Sequence, residues 1–267
     1  MKTSSSSGAN EAPRVTQDPF GLGQQKLAAQ VGDFVLAPSR ASLERAMNEP
    51  HGVHTFAYLG AHVEQVGETH ARLRWSTAQR GNVPNELVIP ITREAVAELG
   101  GVLLTATPGF GLERVLVEAG GTPNAPRVIS LDRACLTLDA AQPEPVTLEK
   151  GTFQPLRQAG ELGATLSCRS EGHVMPWILT AKTPERWLAW GFSGQVRTFA
   201  ASECKTLPIL PEVRVGENVF VPVAGEYVNA TVRRVEANTG RVFVQHDFAA
   251  EAREHCVPLT QVARELP

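Results

Sequence analysis

Nowhere in the chain does an apolar run approach the roughly 18 residues that a membrane-spanning helix needs, so no membrane segment is expected. A basic surplus is missing too. Lys and Arg total 25 against 28 Asp and Glu, for a formal charge of -3, and the pI is about 6.2. Such a balance gives no general attraction for a phosphate backbone. The first residues, MKTSSSSGANEAP, carry one lysine followed by Ser, Gly and Asn rather than an apolar stretch, so no secretory leader is expected. Four cysteines (Cys135, Cys168, Cys204, Cys256) lie far apart without any Cys-x-x-Cys, which argues against a zinc knuckle and a compact disulfide framework. A cytoplasmic protein with reduced thiols is the simplest expectation.

Catalytic signatures are also absent. Nothing resembles Gly-x-Ser-x-Gly or another nucleophile setting, and Gly109-Phe110-Gly111 and Gly120-Gly121 read as turns, because neither continues into the helix a phosphate loop requires. His51-x-x-His54 lacks a neighbouring Cys or carboxylate to complete a tetrahedral metal set. His246-Asp247 beside Glu254-His255 reads as a polar rim. No metal, no cofactor and no enzymatic activity are expected.

What is present is β-pattern. The 42% hydrophobic content is that of a globular protein. From Met1 to about Gln25 the chain is rich in Ser, Gly, Asn, Gln and Pro, too polar to offset its ordering entropy, and reads as a disordered tail. From Val31 onward short runs of Val, Ile, Leu and aromatics alternate with polar residues and are broken by Gly, Pro, Asn and Asp. The abundance of Ala, Gly, Val, Arg and Glu suggests a GC-rich bacterial source.

The two ends of this region repeat one another. Val31-Gly32-Asp33-Phe34-Val35-Leu36-Ala37-Pro38 matches Val215-Gly216-Glu217-Asn218-Val219-Phe220-Val221-Pro222. Tyr58-x-x-Ala61-x-Val63-x-x-Val66 matches Tyr227-x-x-Ala230-x-Val232-x-x-Val235. Ile89-Pro90-Ile91-Thr92 matches Val257-Pro258-Leu259-Thr260. Two fainter copies lie between. One has strands at Val102–Ala106, Leu112–Glu118, Arg127–Leu131 and Thr152–Leu156. The other has Gly163–Arg169, Met175–Ala181, Arg186–Gly191 and Val196–Phe199, with Ala201–Leu207 closing it. Units of about 50 to 70 residues with four or five short strands suit strongly bent barrels that close their own edges. The expected organisation is a tail at 1–25 and units at 26–97, 98–159, 160–211 and 212–267. The first carries an insertion whose residues Ser39–Met47 read as a short helix, capped by Ser39 and ended by Pro50-His51-Gly52.

Residues Val215-Gly216-Glu217-x-Val219, Gly225-Glu226-Tyr227-x-x-Ala230-Thr231-Val232 and Val242-x-Val244-x-x-Asp247-Phe248 resemble Tudor or Agenet-type domains of the SH3-like small-barrel group. The likeness covers 213–265, extends to 30–95, and is one of pattern between. It implies a mainly β chain of tandem SH3-like, Tudor-like small barrels. The resemblance also implies a methylated lysine or arginine in an aromatic cage, with Tyr227, Phe248, Asp247, Phe220 and Phe243 as candidates; Tyr58 and Trp75 are what the first unit offers. Separately, Trp177, Trp187 and Trp190 cluster with Phe192 in the third unit, either as anchors for a partner or as core and seam rings. On a strand Trp187 and Trp190 face opposite sides. The leading expectation is a scaffold or adaptor that binds a protein or peptide partner. The alternative is a nucleic-acid binder using the basic spot of Arg233, Arg234 and Arg241. A third reading, an enzyme on a β scaffold, requires a deep pocket with converging titratable groups.

Overall fold

The computed structural model describes residues 18, 20–48, 53–135, 144–246 and 254–267. Four small sheets follow one another along the chain. The first contains β1 (Phe34–Pro38), β3 (Tyr58–Val66), β4 (His70–Trp75), β5 (Arg80–Pro84) and β6 (Ile89–Pro90), with α1 (Arg40–Asn48) and β2 (His54–Thr55) in the insertion between β1 and β3. The second contains β7 (Val102–Thr107), β8 (Gly111–Thr122), β9 (Ala125–Ser130), β10 (Val146–Thr147) and β11 (Phe153–Leu156). β12 (Thr165–Ser170), β13 (His173–Lys182), β14 (Arg186–Trp190), β15 (Gln195–Ala200) and β16 (Cys204–Thr206) make the third, and β17 (Asn218–Val223), β18 (Glu226–Glu236), β19 (Arg241–His246) and β20 (His255–Pro258) the fourth.

All four sheets share one order. Within each unit the first four strands pair consecutively and the fifth returns to the first, as β5-β4-β3-β1-β6 shows. In the fourth unit the returning strand shrinks to a bridge between Phe220 and Ala263. The second strand of every unit carries a bulge against the third, at Val63/Gln65, Glu118/Thr122, Leu179/Ala181 and Val232/Arg234. Bulges bend and twist a strand, which lets a single strand serve both walls of a small barrel. The chain is mainly β, a tandem array of SH3-like, Tudor-like small barrels.

The strands expected in the two middle copies are present close to where the residues place them. The third repeat match needs a new register. A 3-10 turn follows Pro84 (Asn85–Leu87) and another follows Pro258 (Leu259–Gln261). After those turns, Leu36 pairs with Ile89 and Phe220 with Ala263. Val83-Pro84 is therefore the counterpart of Val257-Pro258. The Ile89-Pro90 match was a chance likeness six residues downstream, because short Val/Ile-Pro pairs recur on both sides of the turn.

A further signature begins each unit. Gly32, Gly100, Gly163 and Gly216 all have φ between +75° and +95°, a region open to glycine at no steric cost. Each glycine N–H donates to a second-strand carbonyl (Val63, Val117, Leu179, Val232), and the next residue's carbonyl accepts from that same second-strand residue, at 2.7–3.0 Å throughout. Alanine in this region costs about 1–2 kcal/mol. Gly163→Ala is expected to lose more stability than Gly216→Ala, since a Cβ at 163 would lie 2.7 Å from Leu104 Cδ2 while nothing stands within 4 Å at 216. Thermal unfolding of the two variants checks this. Equal losses would show that Leu104 yields freely.

Helix α1 forms as its cap predicts: the Ser42 N–H donates to Ser39 Oγ at 3.3 Å, and Leu43 and Ala46 turn inward. Its expected end at Pro50-His51-Gly52 lies outside the described residues. The insertion then leaves its own barrel, because β2 adds to the edge of β15 through Thr55–Gln195 and His54–Val196 pairs. The Trp190 Nε1–H donates to the Phe56 carbonyl at 2.8 Å across the same seam. Within the stretch expected as a tail, the described residues pack against the barrels. Phe20 and Leu22 are buried, Phe20 meets the Phe56 ring edge-on at 5.6 Å, and Thr198 Oγ1 donates to the Phe20 carbonyl at 3.1 Å. Two apolar side chains suffice to dock this polar stretch; residues 1–17 lie outside the described residues.

One apolar core runs through the first three units, joining Leu36 and Tyr58 of the first to Leu104 and Ile129 of the second and Ile178 and Leu188 of the third, while the second and third units each keep a smaller cluster of their own. The fourth unit has its own valine-rich core. Cysteine pairing corrects the expectation of reduced thiols: Cys168 bonds Cys204 across β12 and β16, and Cys135 bonds Cys256, tying the second unit to the fourth over 121 residues. Distance along the sequence concealed this, because the tandem array folds back and brings the turn after β9 against β20. Among the described residues no helix is long and apolar enough to cross a membrane.

Candidate binding cleft

Where the second and fourth units meet, the fold leaves a cleft of about 620 Å³. One wall is β8, which presents Leu116 and Val117 there. The other is the fourth unit, with Val235 and Leu259, and the floor is the connection from the third unit, Leu210 to Val213. Leu99, 74% exposed in the turn before β7, stands at the lip. The rim is acidic: Glu118, held at 3.6 Å by Arg127, and Glu212. An apolar trough with a few polar groups at its margin is the usual make-up of a recognition site.

Two linkages hold the walls in place. One is the Cys135–Cys256 disulfide. The other is a buried polar chain: Arg114 on β8, 1% exposed, donates from Nε to Asp132 Oδ1 at 3.0 Å, and its Nη1 donates to Thr165 Oγ1 of the third unit. Thr165 Oγ1 in turn donates to the Thr260 carbonyl of the fourth at 2.7 Å. Second, third and fourth units are thereby pinned at one point. The neighbouring Glu113, 2% exposed, is equally satisfied, by Thr107 at 2.6 Å, Ser130 and Arg133.

The expected cage residues are placed apart. Asp247 and Phe248 lie outside the described residues. Tyr227 lies near the start of β18 opposite Pro222, with its hydroxyl buried and, among the described residues, without a hydrogen-bond partner. Phe220 is half-buried and bridges to Ala263 through its backbone. The Phe243 ring is covered by the Arg234 guanidinium at 3.6 Å, with Arg241 at 5.7 Å. Among the described residues no ring contact joins Tyr227, Phe220 and Phe243. The basic spot is offset in part: Glu236 binds both Arg234 and Arg241, the latter at 2.6 Å, while Arg233 donates to the neutral Gln245.

The third-unit tryptophans divide between core and seam. Trp177, 2% exposed, packs edge-on against Phe199 at 5.1 Å and presents no face to a ligand. Trp187 packs partly buried against that same cluster. Trp190, on the other side of β14, fills the seam to the first unit and meets Tyr58 edge-on at 6.3 Å. Phe192, 39% exposed, follows the end of the strand. The His246 and His255 rings stand 6.2 Å apart, and burial pulls the His255 pKa down. Among the described residues no group of three His, Cys, Asp or Glu converges as a metal set.

Burial raises both tyrosine phenols, Tyr58 and Tyr227, above their ordinary value. These are the chain's two tyrosines. Their contribution to stability is complete below the unfolded-state value of about 10 and is lost as pH rises past it, because the unfolded chain ionises first. Alkaline titration is expected to show no tyrosinate absorption at the ordinary pH, and then a rise coincident with loss of the circular dichroism signal. An ordinary titration with the fold intact would show that the two rings are open to water.

No family model matches this chain, and no curated protein does. Among solved structures it is similar to Arabidopsis thaliana AGDP1 AGD34, at a TM-score of 0.22 and 12% identity over 40% of this chain and 80% of that one. It is also similar to the four MBT repeats of Drosophila melanogaster Sfmbt in complex with the peptide RHR (me)K VLR, at a TM-score of 0.17 and 8% identity over 94% of each chain.

Proposed function

We propose that the chain is a non-catalytic binding protein, a scaffold or adaptor whose barrels, taken as residues 26–97, 98–159, 160–211 and 212–267, hold a protein partner. The partner enters as a peptide in the trough between the second and fourth units. One observation carries this reading: a largely apolar cleft of about 620 Å³ whose two walls are fixed to one another by a disulfide and by a buried arginine chain. A pre-organised groove spends little of its binding free energy on ordering itself. A peptide with an apolar anchor flanked by a basic residue fits the trough and its acidic rim. The finer form, a methylated side chain in an aromatic cage of the kind the resemblance implies, uses cation–π attraction worth about 0.5–2 kcal/mol per ring; of the candidate rings, Tyr227, Phe220 and Phe243 stand apart and do not form one cage between them.

Panning a displayed peptide library against the full chain tests the proposal. Enriched peptides are expected to share an apolar anchor and to lose about tenfold in affinity, about 1.4 kcal/mol, on Leu99→Arg, a surface change that leaves thermal stability within about 0.5 kcal/mol. Stronger binding of the same peptides once a lysine is methylated would support the cage. Absence of enrichment, or peptides indifferent to Leu99→Arg, would overturn the cleft. Tight polynucleotide retention that falls steeply with salt would favour the nucleic-acid alternative instead.

A further inference from the structure

A smaller space of about 310 Å³, sharing no residue with that cleft, lies on the first unit. Three pieces of chain that depart from the plain barrel build it. The N-terminal segment supplies Phe20, helix α1 supplies Leu43, Ala46 and Met47, and Phe56 comes from the end of the insertion. Strands β4 and β5 and the turn after them complete the wall with His70, Asn82 and Glu86. The rings are fixed: Phe20 stands edge-on to both Phe56 and His54 at 5.6 Å. Met47, 54% exposed, is the adaptable member at the mouth.

Glu86 is out of keeping with an apolar wall. Its carboxyl is half-buried, and burial raises its pKa; a hydrogen bond from its own backbone N–H opposes this in part, and the nearby Asp18 adds a smaller rise. Among the described residues no lysine or arginine pairs with it. Asp18 is itself acidic and is occupied as an acceptor, from the Gly23 N–H at 2.6 Å. A partly desolvated carboxylate without a counter-charge is costly to a fold, and a cation delivered from outside relieves it. Of the other polar groups, Asn82 is neutral, and the His70 ring is engaged through Nδ1 with Thr69 Oγ1 at 2.9 Å.

We infer that this cavity is a binding site for a small apolar amine, its hydrocarbon body against Phe20, Phe56 and Leu43 and its ammonium on Glu86. The volume lies at the lower end of that of ligand pockets, about 300–1,000 Å³. This site involves neither the second nor the fourth unit, so it stands or falls separately from the peptide cleft.

Calorimetric titration of the full chain with three probes of similar shape tests it: phenethylamine, phenethyl alcohol and hydrocinnamate. Phenethylamine is expected to bind saturably and about tenfold tighter than the alcohol, a difference of about 1.4 kcal/mol, and hydrocinnamate is expected not to bind. Glu86→Gln should bring the amine down to the level of the alcohol without lowering the thermal midpoint. Ala46→Phe, which fills the space, should remove both. Equal binding of amine and alcohol to the unaltered protein, an amine affinity unmoved by Glu86→Gln, or no saturable binding of phenethylamine would each overturn the inference.

Discussion

Replacing Asp132 with alanine is expected to cost the fold about 3–5 kcal/mol, the penalty of leaving a buried charge without its partner. Arg114 is 1% exposed, and the contacts of its guanidinium to Asp132 Oδ1 through Nε and Nη2 measure 3.0 and 2.5 Å. Asp132 also accepts the Arg114 backbone N–H at 2.8 Å, so one substitution strips three donors at once. Arginine does not escape by losing its proton. The loss should spread beyond the second unit, because the same guanidinium reaches Thr165 and, through it, the Thr260 carbonyl. Urea unfolding monitored by tryptophan fluorescence measures the cost. Replacing both partners, Arg114→Met with Asp132→Leu, should recover much of it, since an apolar pair leaves no buried charge behind. A midpoint unchanged in Asp132→Ala would mean that water reaches the guanidinium.

The second large effect belongs to the disulfide between Cys135 and Cys256. Closing a loop of 121 residues removes entropy from the unfolded chain worth about 5 kcal/mol in the chain-entropy account, against about 4 kcal/mol for the 36-residue loop of Cys168–Cys204. A Cys135→Ser, Cys256→Ser double variant is expected to unfold at markedly lower denaturant, and mild reduction of the unaltered protein should act in the same direction. Protein trapped by alkylation on lysis and then unfolded should show no free thiol. Four reactive thiols would instead return the cytoplasmic, reduced reading suggested by the sequence; pairing belongs with an oxidising setting. Asp132 and Cys135 sit three residues apart in one turn, so the two losses should not add when combined.

The architecture was largely legible because it is repeated. Val31-Gly32-Asp33 and Val215-Gly216-Glu217 announced two units, and the same signal was available for the others as Leu99-Gly100 and Leu162-Gly163, an apolar residue before a glycine held at positive φ. It is masked there because the acid that follows in the outer units is replaced by Gly101 in the second and Ala164 in the third. The bulges left no trace in composition, since an extra residue in a strand looks like any other. Strand alternation correctly put Trp187 and Trp190 on opposite faces, but what each face meets is decided by tertiary packing. The two cavities were invisible for a related reason: the cleft joins Leu99 to Leu259, and the smaller space joins Phe20 to Glu86. Neither pairing leaves a pattern along the chain.

The loan of β2 to the third unit has a consequence for the order in which the molecule can be completed. Trp190 lies 134 residues beyond Phe56, whose carbonyl it binds, and the edge that receives β2 is made later still. At about 5–20 residues per second of synthesis, the insertion waits roughly 7 to 30 s for its acceptor. During that interval Phe56 and Tyr58 have no seam to enter, and the first barrel emerges with an aromatic flank open to whatever is nearby. The protein is therefore most exposed to misassociation while its N-terminal third is complete and its middle is not.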